Sequence, residues 1–142
     1  MLAFIRAALV VAAAGIYSVV RAQTGCERFY IVQVGDTCNA ISAAQNVSTF
    51  QLALINPEID PLCDNLFADE QICLGIAGED CETVHVVQAG DSCANIAEAA
   101  GIQLSTLLAN NPNVNPICTN IGVGEVLCTA NVTIPYQNVT VV

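Results

Sequence analysis

The sequence predicts an α+β protein: two tandem, small βααβ modules, each stapled by disulfides, following a signal peptide. Three observations carry this expectation. The chain opens on an uncharged stretch, its eight cysteines fall into two sets of four, and those sets repeat at one constant offset.

Residues Met1 to Ala22 read MLAFIRAALVVAAAGIYSVVRA, with Arg6 ahead of an uncharged run of 14 residues from Ala7 to Val20. A membrane-spanning helix needs about 20 apolar residues, so the length disfavours an anchor. Val20 and Ala22 suit a cleavage site, and residues 1–22 are expected to be a secretory signal peptide cut before Gln23. That removal takes Arg6 and Arg21 but no acid. Thirteen Asp and Glu then face Arg28 alone, and the net charge moves from −10 to −12 (1 − 13). So acidic a chain lacks the basic face that a phosphate backbone or an anionic lipid surface requires. Neither nucleic acid nor, after processing, a membrane is therefore an expected partner.

Export to an oxidising compartment sets the meaning of the cysteines, which are Cys26, Cys38, Cys63, Cys73, Cys81, Cys93, Cys118 and Cys128. An even count without any CxxC pair points to disulfides rather than to a zinc site or a redox pair. No metal or cofactor is expected. Subtracting the first four positions from the last four gives 55 each time (81−26, 93−38, 118−63, 128−73), a duplication without insertion or deletion. Aligned so, Cys26–Cys73 and Cys81–Cys128 share 17 of 48 residues. The period is one small domain. A unit of about 50 residues buries little core, and disulfides are the usual remedy. The expected division is signal peptide 1–22, module one 29–74, module two 84–129 and a tail 130–142.

Within each copy the elements follow in order. Phe29–Val34 and Thr83–Ala89 are rich in β-branched and aromatic residues and end at a turn glycine, Gly35 or Gly90. Asp36-Thr37 and Asp91-Ser92 then offer N-cap chemistry. Cys38, Ile41 and Ala44/Gln45, like Cys93, Ile96 and Ala99/Ala100, recur at helical spacing. Asn46 and Gly101 close this first helix. A second carries Leu52, Leu54 and Ile55, or Leu107 and Leu108, until Asn56-Pro57 and Asn111-Pro112 stop it. Glu70–Leu74 and Glu125–Thr129 form the last strand. Outer strands in so short a unit pair antiparallel, with both helices on one face. Four cysteines allow three pairings per module. The antiparallel arrangement favours Cys26–Cys73 with Cys38–Cys63, and Cys81–Cys128 with Cys93–Cys118.

These residues resemble the LysM module, a βααβ unit with a V-x-x-G-D-[ST] turn and an N-P end to its second helix. Here the motifs stand as Val32-Gln33-Val34-Gly35-Asp36-Thr37 with Ile55-Asn56-Pro57, and Val87-Gln88-Ala89-Gly90-Asp91-Ser92 with Asn110-Asn111-Pro112. A signal peptide before two such cysteine-containing modules is similar to fungal secreted LysM effectors, proteins of virulence. The resemblance implies an extracellular or cell-wall-associated protein that binds chitin or other N-acetylglucosamine oligomers without catalysis. It also implies sugar contacts on two loops of each module. In copy one those are Gly35, Asp36 and Thr37 with Pro57, Glu58, Ile59 and Asp60. In copy two they are Gly90, Asp91 and Ser92 with Pro112, Asn113, Val114 and Asn115. A turn glycine lets backbone groups approach an acetamido group, and Ile59 or Val114 offers its methyl a surface.

Asp36 and Asp91 also read as helix caps, and the Asn-Pro pairs as helix stops. His85, the only histidine, reads as a sheet-face side chain. Repeated Glu27/Glu82 and Glu70/Glu125 suggest paired glycosidase carboxylates, but a module this small lacks the cleft. No aromatic is duplicated: Phe29, Tyr30, Phe50 and Phe67 face Val84, His85, Ser105 and Gly122, so a shared binding mode rests on backbone and small side chains. Copy one's second loop is acidic (Glu58, Asp60, Asp64) and copy two's neutral (Asn113, Asn115, Thr119), which favours copy two for a neutral glycan. Asn46, Asn131 and Asn138 begin N-glycosylation sequons, the mark of a glycoprotein. Two sites joined by Leu74–Asp80 would grip one polymer or bridge molecules into ligand-linked self-association. A structural cell-wall protein and an inhibitor of a secreted hydrolase are the alternatives. Duplicated loops without a unique reactive loop weigh against the inhibitor.

Overall fold

A computed structural model describes residues 25–137; the expected signal peptide and Asn138 lie outside them. The order is β1 (Cys26–Ile31), α1 (Cys38–Gln45), α2 (Thr49–Ile55), β2 (Gln71–Ile76), then β3 (Val84–Val86), α3 (Cys93–Ala100), α4 (Leu104–Asn110) and β4 (Val126–Cys128). β1 pairs antiparallel with β2, and β3 with β4, giving two βααβ units with a two-stranded sheet each. The disulfides are Cys26–Cys73, Cys38–Cys63, Cys81–Cys128 and Cys93–Cys118, and none crosses between units. Each closes a loop of 25 or 47 residues, for which chain entropy predicts about 3–4 kcal/mol.

The first strands stop earlier than their composition suggests, at Ile31 and Val86. Pairing persists one residue further, where the Val32 N–H donates to the Glu70 carbonyl (2.9 Å) and the Val87 N–H to that of Glu125 (2.8 Å). Gly35 and Gly90, both at φ 88°, then turn the chain with open space around them, so backbone conformation demands glycine there. Thr37 and Ser92 cap α1 and α3, accepting from the Ala40 and Asn95 N–H groups. Asp36 and Asp91 are not the caps. Each closes the preceding turn by accepting from the Gln33 or Gln88 N–H (2.7 and 2.8 Å). Asn46 and Gly101 end these helices in the left-handed conformation.

Each module packs its own core. Val32, Ile41, Val47, Leu52, Ile72 and Leu74 cluster in the first, and Val87, Ile96, Ala97, Leu107, Val114 and Leu127 in the second. Asn56 and Asn111, both about 1% exposed, knit helix to strand. Their amides donate to the Leu52 and Cys73 carbonyls, or to those of Leu107 and Cys128, and accept from the Cys73 or Cys128 N–H. The Asn-Pro pair is therefore a core clamp as well as a helix stop.

The modules are not beads on a free linker. β2 extends to Ile76, taking in three of the seven residues of the expected connection. Asp80 folds back so that a side chain at Gly75 would strike its carboxylate. That carboxylate receives Arg28 through Nε and Nη2 (2.6 and 2.8 Å), while Nη1 reaches the Gln45 carbonyl at the end of α1. Fully buried Gln51 donates to the Leu74 carbonyl and Asp80 Oδ1, and accepts from the Cys81 N–H and the Tyr136 hydroxyl. Residues 130–137 add no strand. They run back to module one, pinned by Asn110 to the Ala130 and Val132 carbonyls and the Ile134 N–H, with Tyr136 edge-on to Phe50 at 5.3 Å. Burial pushes the Tyr136 phenol up to about 12, so it remains a donor at ordinary pH.

Two stability outcomes follow. Gln51→Ala strands a buried N–H, a carbonyl and a phenol, and chemical denaturation of the oxidised protein should show a loss of about 3 kcal/mol. Ser42 is fully buried with an unpartnered hydroxyl where the second module has Ala97. Ser42→Ala should raise stability by about 1 kcal/mol in the same measurement.

Candidate functional site

The two loops singled out by sequence meet at one end of each module. In module one, loop one (Gly35–Thr37) leads into Cys38, whose disulfide to Cys63 ties it to the far end of loop two. The Cys93–Cys118 bridge repeats this. Loop two owes its shape to a repeated asparagine. Asn65 accepts from the Asp60 N–H and donates to the Glu58 carbonyl, while Asn120 does the same for Asn115 and Asn113, at 2.8–2.9 Å throughout. Asp60 Oδ1 accepts from the Leu62 and Asp64 N–H groups (both 3.0 Å). Asn115 Oδ1 takes the Thr119 N–H (2.9 Å) in its place. The acidity of copy one's loop is thus partly spent in holding its own backbone.

Between the loops of module one lies a cavity of about 410 Å³. Of the residues expected from sequence, Thr37, Ile59 and Asp60 line it. Gly35, Asp36, Pro57 and Glu58 do not; they shape the loops around it. Asn39, Thr49, Leu52, Ala53 and Leu62 also line it and were not anticipated. A sequence signal was available for Leu62, since an aliphatic residue precedes the loop cysteine in both copies; the structure leaves Leu62 80% and Ile117 77% exposed. In copy two, Gly90 and Ser92 take the places of Gly35 and Thr37, and Pro112 is exposed. Val114 belongs to the core at 6% exposure, so it offers a methyl group far less surface than half-buried Ile59. The Asn113 amide is engaged by the Glu125 carboxylate (2.7 Å).

Electrostatics separate the two copies at loop one. The Tyr30 hydroxyl donates to Asp36 (2.8 Å), and that bond raises the phenol pKa. His85 Nε2 occupies the equivalent place on Asp91 (2.7 Å). There the histidine contact, then the Gln88 N–H, hold the Asp91 carboxyl below its ordinary value. His85 therefore holds the loop-one turn through Asp91. No cluster of three or more metal-ligating side chains occurs among the described residues. None of their helices is long and apolar enough to cross a membrane.

The LysM domain family model matches residues 30–75 and 85–129, and the chain belongs to that family. It is similar to a protein named Secreted LysM effector LysM1 from Trichophyton rubrum, 32% identical, over 72% of this chain and 50% of the relative. It is likewise similar to Secreted LysM effector ldpA from Aspergillus fumigatus, 29% identical, over 74% of this chain and 36% of the relative. The chain thus spans half or less of the length of these relatives. Among solved structures, the LysM domain from Equisetum arvense chitinase A is 40% identical, covering 35% of this chain and 98% of that domain, with a TM-score of 0.33.

A lowered Asp91 pKa places its stabilising contact at pH above the ordinary carboxylate range, to be lost as pH falls through the lowered value. An NMR titration should give an Asp91 midpoint below that of an ordinary carboxylate, returning toward the ordinary value in His85→Ala.

Proposed function

We propose that this chain is a secreted, non-catalytic binder of N-acetylglucosamine polymers, with chitin as its ligand. The observation that carries the reading is the module-one cavity, set between two disulfide-tied loops of a LysM domain. Thr37 and Asn39 supply neutral hydrogen-bonding groups, and Ile59 and Leu62 supply apolar surface. That mixture suits an acetamido sugar, which carries no charge and needs none opposite it. The secreted effector names of the fungal relatives support the same reading. Loop residues Gly35, Asp36, Pro57 and Glu58, with their copy-two counterparts, complete the proposed contacts through backbone groups. Occupying chitin in this way serves either to keep its fragments from host immune receptors or to shield hyphal walls from chitinases.

The test is retention of the processed protein on chitin, chitosan, cellulose and peptidoglycan at low and high salt. Retention on chitin that survives high salt is expected. Retention on chitosan alone, lost in salt, would instead assign binding to the net negative charge and overturn the reading.

A further inference from the structure

Asp60 is the one charged side chain that lines the module-one cavity. Its surroundings hold it in place. The Asp60 N–H donates to Asn65 Oδ1 and its carbonyl accepts the Cys63 N–H, both at 2.9 Å. Oδ1 accepts from the Leu62 and Asp64 N–H groups. The second carboxylate oxygen, Oδ2, accepts from no group among the described residues. No cation reaches it either. Arg28, the only Lys or Arg in residues 25–137, is taken by Asp80 at 2.6 Å, and His85 by Asp91.

The loop needs an acceptor at this position, and it does not need a charge. Module two closes the same turn with neutral Asn115, whose Oδ1 takes the Thr119 N–H (2.9 Å) while Nδ2 donates to Thr119 Oγ1 (2.6 Å). The acid beside that loop, Glu125, has both oxygens engaged, by the Asn113 amide and the Gly122 N–H. In module one Glu58 stands where Asn113 does, and Asp64 where Thr119 does, so no charge is offset there. Covering Asp60 Oδ2 with a sugar face that offers no donor would leave a half-buried charge unpaired, which costs affinity. A hydroxyl or an acetamido N–H removes that cost, and an ammonium adds opposite charge to the same bond. An N-acetylglucosamine chain presents an ammonium wherever a unit has lost its acetyl group.

We propose that module one prefers an N-acetylglucosamine chain carrying a deacetylated unit, with the glucosamine ammonium resting on Asp60 Oδ2, and that module two has no such preference. This rests on the chitin reading above and divides its ligand between the two modules. Asp60 then sets specificity: its Oδ1 shapes the loop, and its Oδ2 selects the sugar.

The experiment titrates the processed protein, at low salt and at a pH that keeps the amine protonated, with the N-acetylglucosamine trimer and with the three trimers in which one unit is glucosamine. Methyl NMR signals of Ile59 and Leu62 report on module one, and those of Val114 and Ile117 on module two. At module one the best glucosamine trimer should bind about fivefold tighter than the acetylated trimer, with no such gain at module two. High salt should shrink the gain. Asp60→Asn, which copies Asn115, should bring the ratio to about one. Asp64→Asn removes the same charge from the loop but not from the cavity wall, and should keep most of the gain. The two modules are compared within one spectrum, so the proposal stays testable should Asp60→Asn unsettle the loop. A module-one ratio of one or less in the unaltered protein, an equal gain at both modules, a gain that survives Asp60→Asn, or one lost equally in Asp64→Asn overturns the role of Asp60 and leaves the chitin reading standing. Failure of the acetylated trimer to bind either module overturns the chitin reading itself, and this proposal with it.

Discussion

One buried amide joins the two halves of this protein. Gln51 has two N–H donors and two carbonyl lone pairs, and each finds a partner: the Leu74 carbonyl, the Asp80 carboxylate, the Cys81 N–H and the Tyr136 hydroxyl. Those partners come from β2, the connection, the first residue of the second cysteine framework and the returning tail. A buried polar group is tolerable only when so satisfied, and it then specifies one arrangement more sharply than apolar contact does. The Arg28–Asp80 pair works from the same carboxylate, which gives the connection a single shape. Module two also meets two residues of the first cleft, through the Val126 N–H on Thr49 and the approach of Asn39 to Gly124.

The division between shared and unshared residues follows the same physics. Residues repeated at offset 55 build a module: the glycine and aspartate of the turn, the Asn-Pro clamp, the loop asparagine and the cysteines. They were legible because each solves a local problem twice. Residues that assemble the modules differ between copies. Gln51 stands opposite Thr106, Asn110 opposite Ile55, and Phe50 opposite Ser105. A duplication hides them, since an interface between unlike partners has no reason to repeat. The absence of duplicated aromatics, met first as a puzzle for sugar binding, has a structural cause in part. Phe50 is occupied by Tyr136, and Tyr30 serves Asp36.

Legibility of the site was uneven for a related reason. Thr37, Ile59 and Asp60 lie on motif-bearing loops, and the structure brings them together. Asn39 and Thr49 sit at helix starts and reach the cavity only through the packing of α1, α2 and β4, a relation no spacing encodes. The strands ran short of their β-branched stretches because the turn aspartate captures the Gln33 or Gln88 N–H and bends the chain away. Asp36 and Asp91 suit a capping role by type, but Thr37 and Ser92 stand nearer the helix and take it. Local propensity chose the kind of interaction, and geometry chose the residue.

The returning tail also bears on the order in which the chain can be completed. Synthesis runs from module one to module two, and an N-terminal domain ordinarily folds as it emerges. Here the core amide of module one waits for Asp80 and Cys81 from the connection, and then for Tyr136, 85 positions after Gln51. Until that phenol arrives, one lone pair of a fully buried side chain has no protein partner. The module made first is the one finished last.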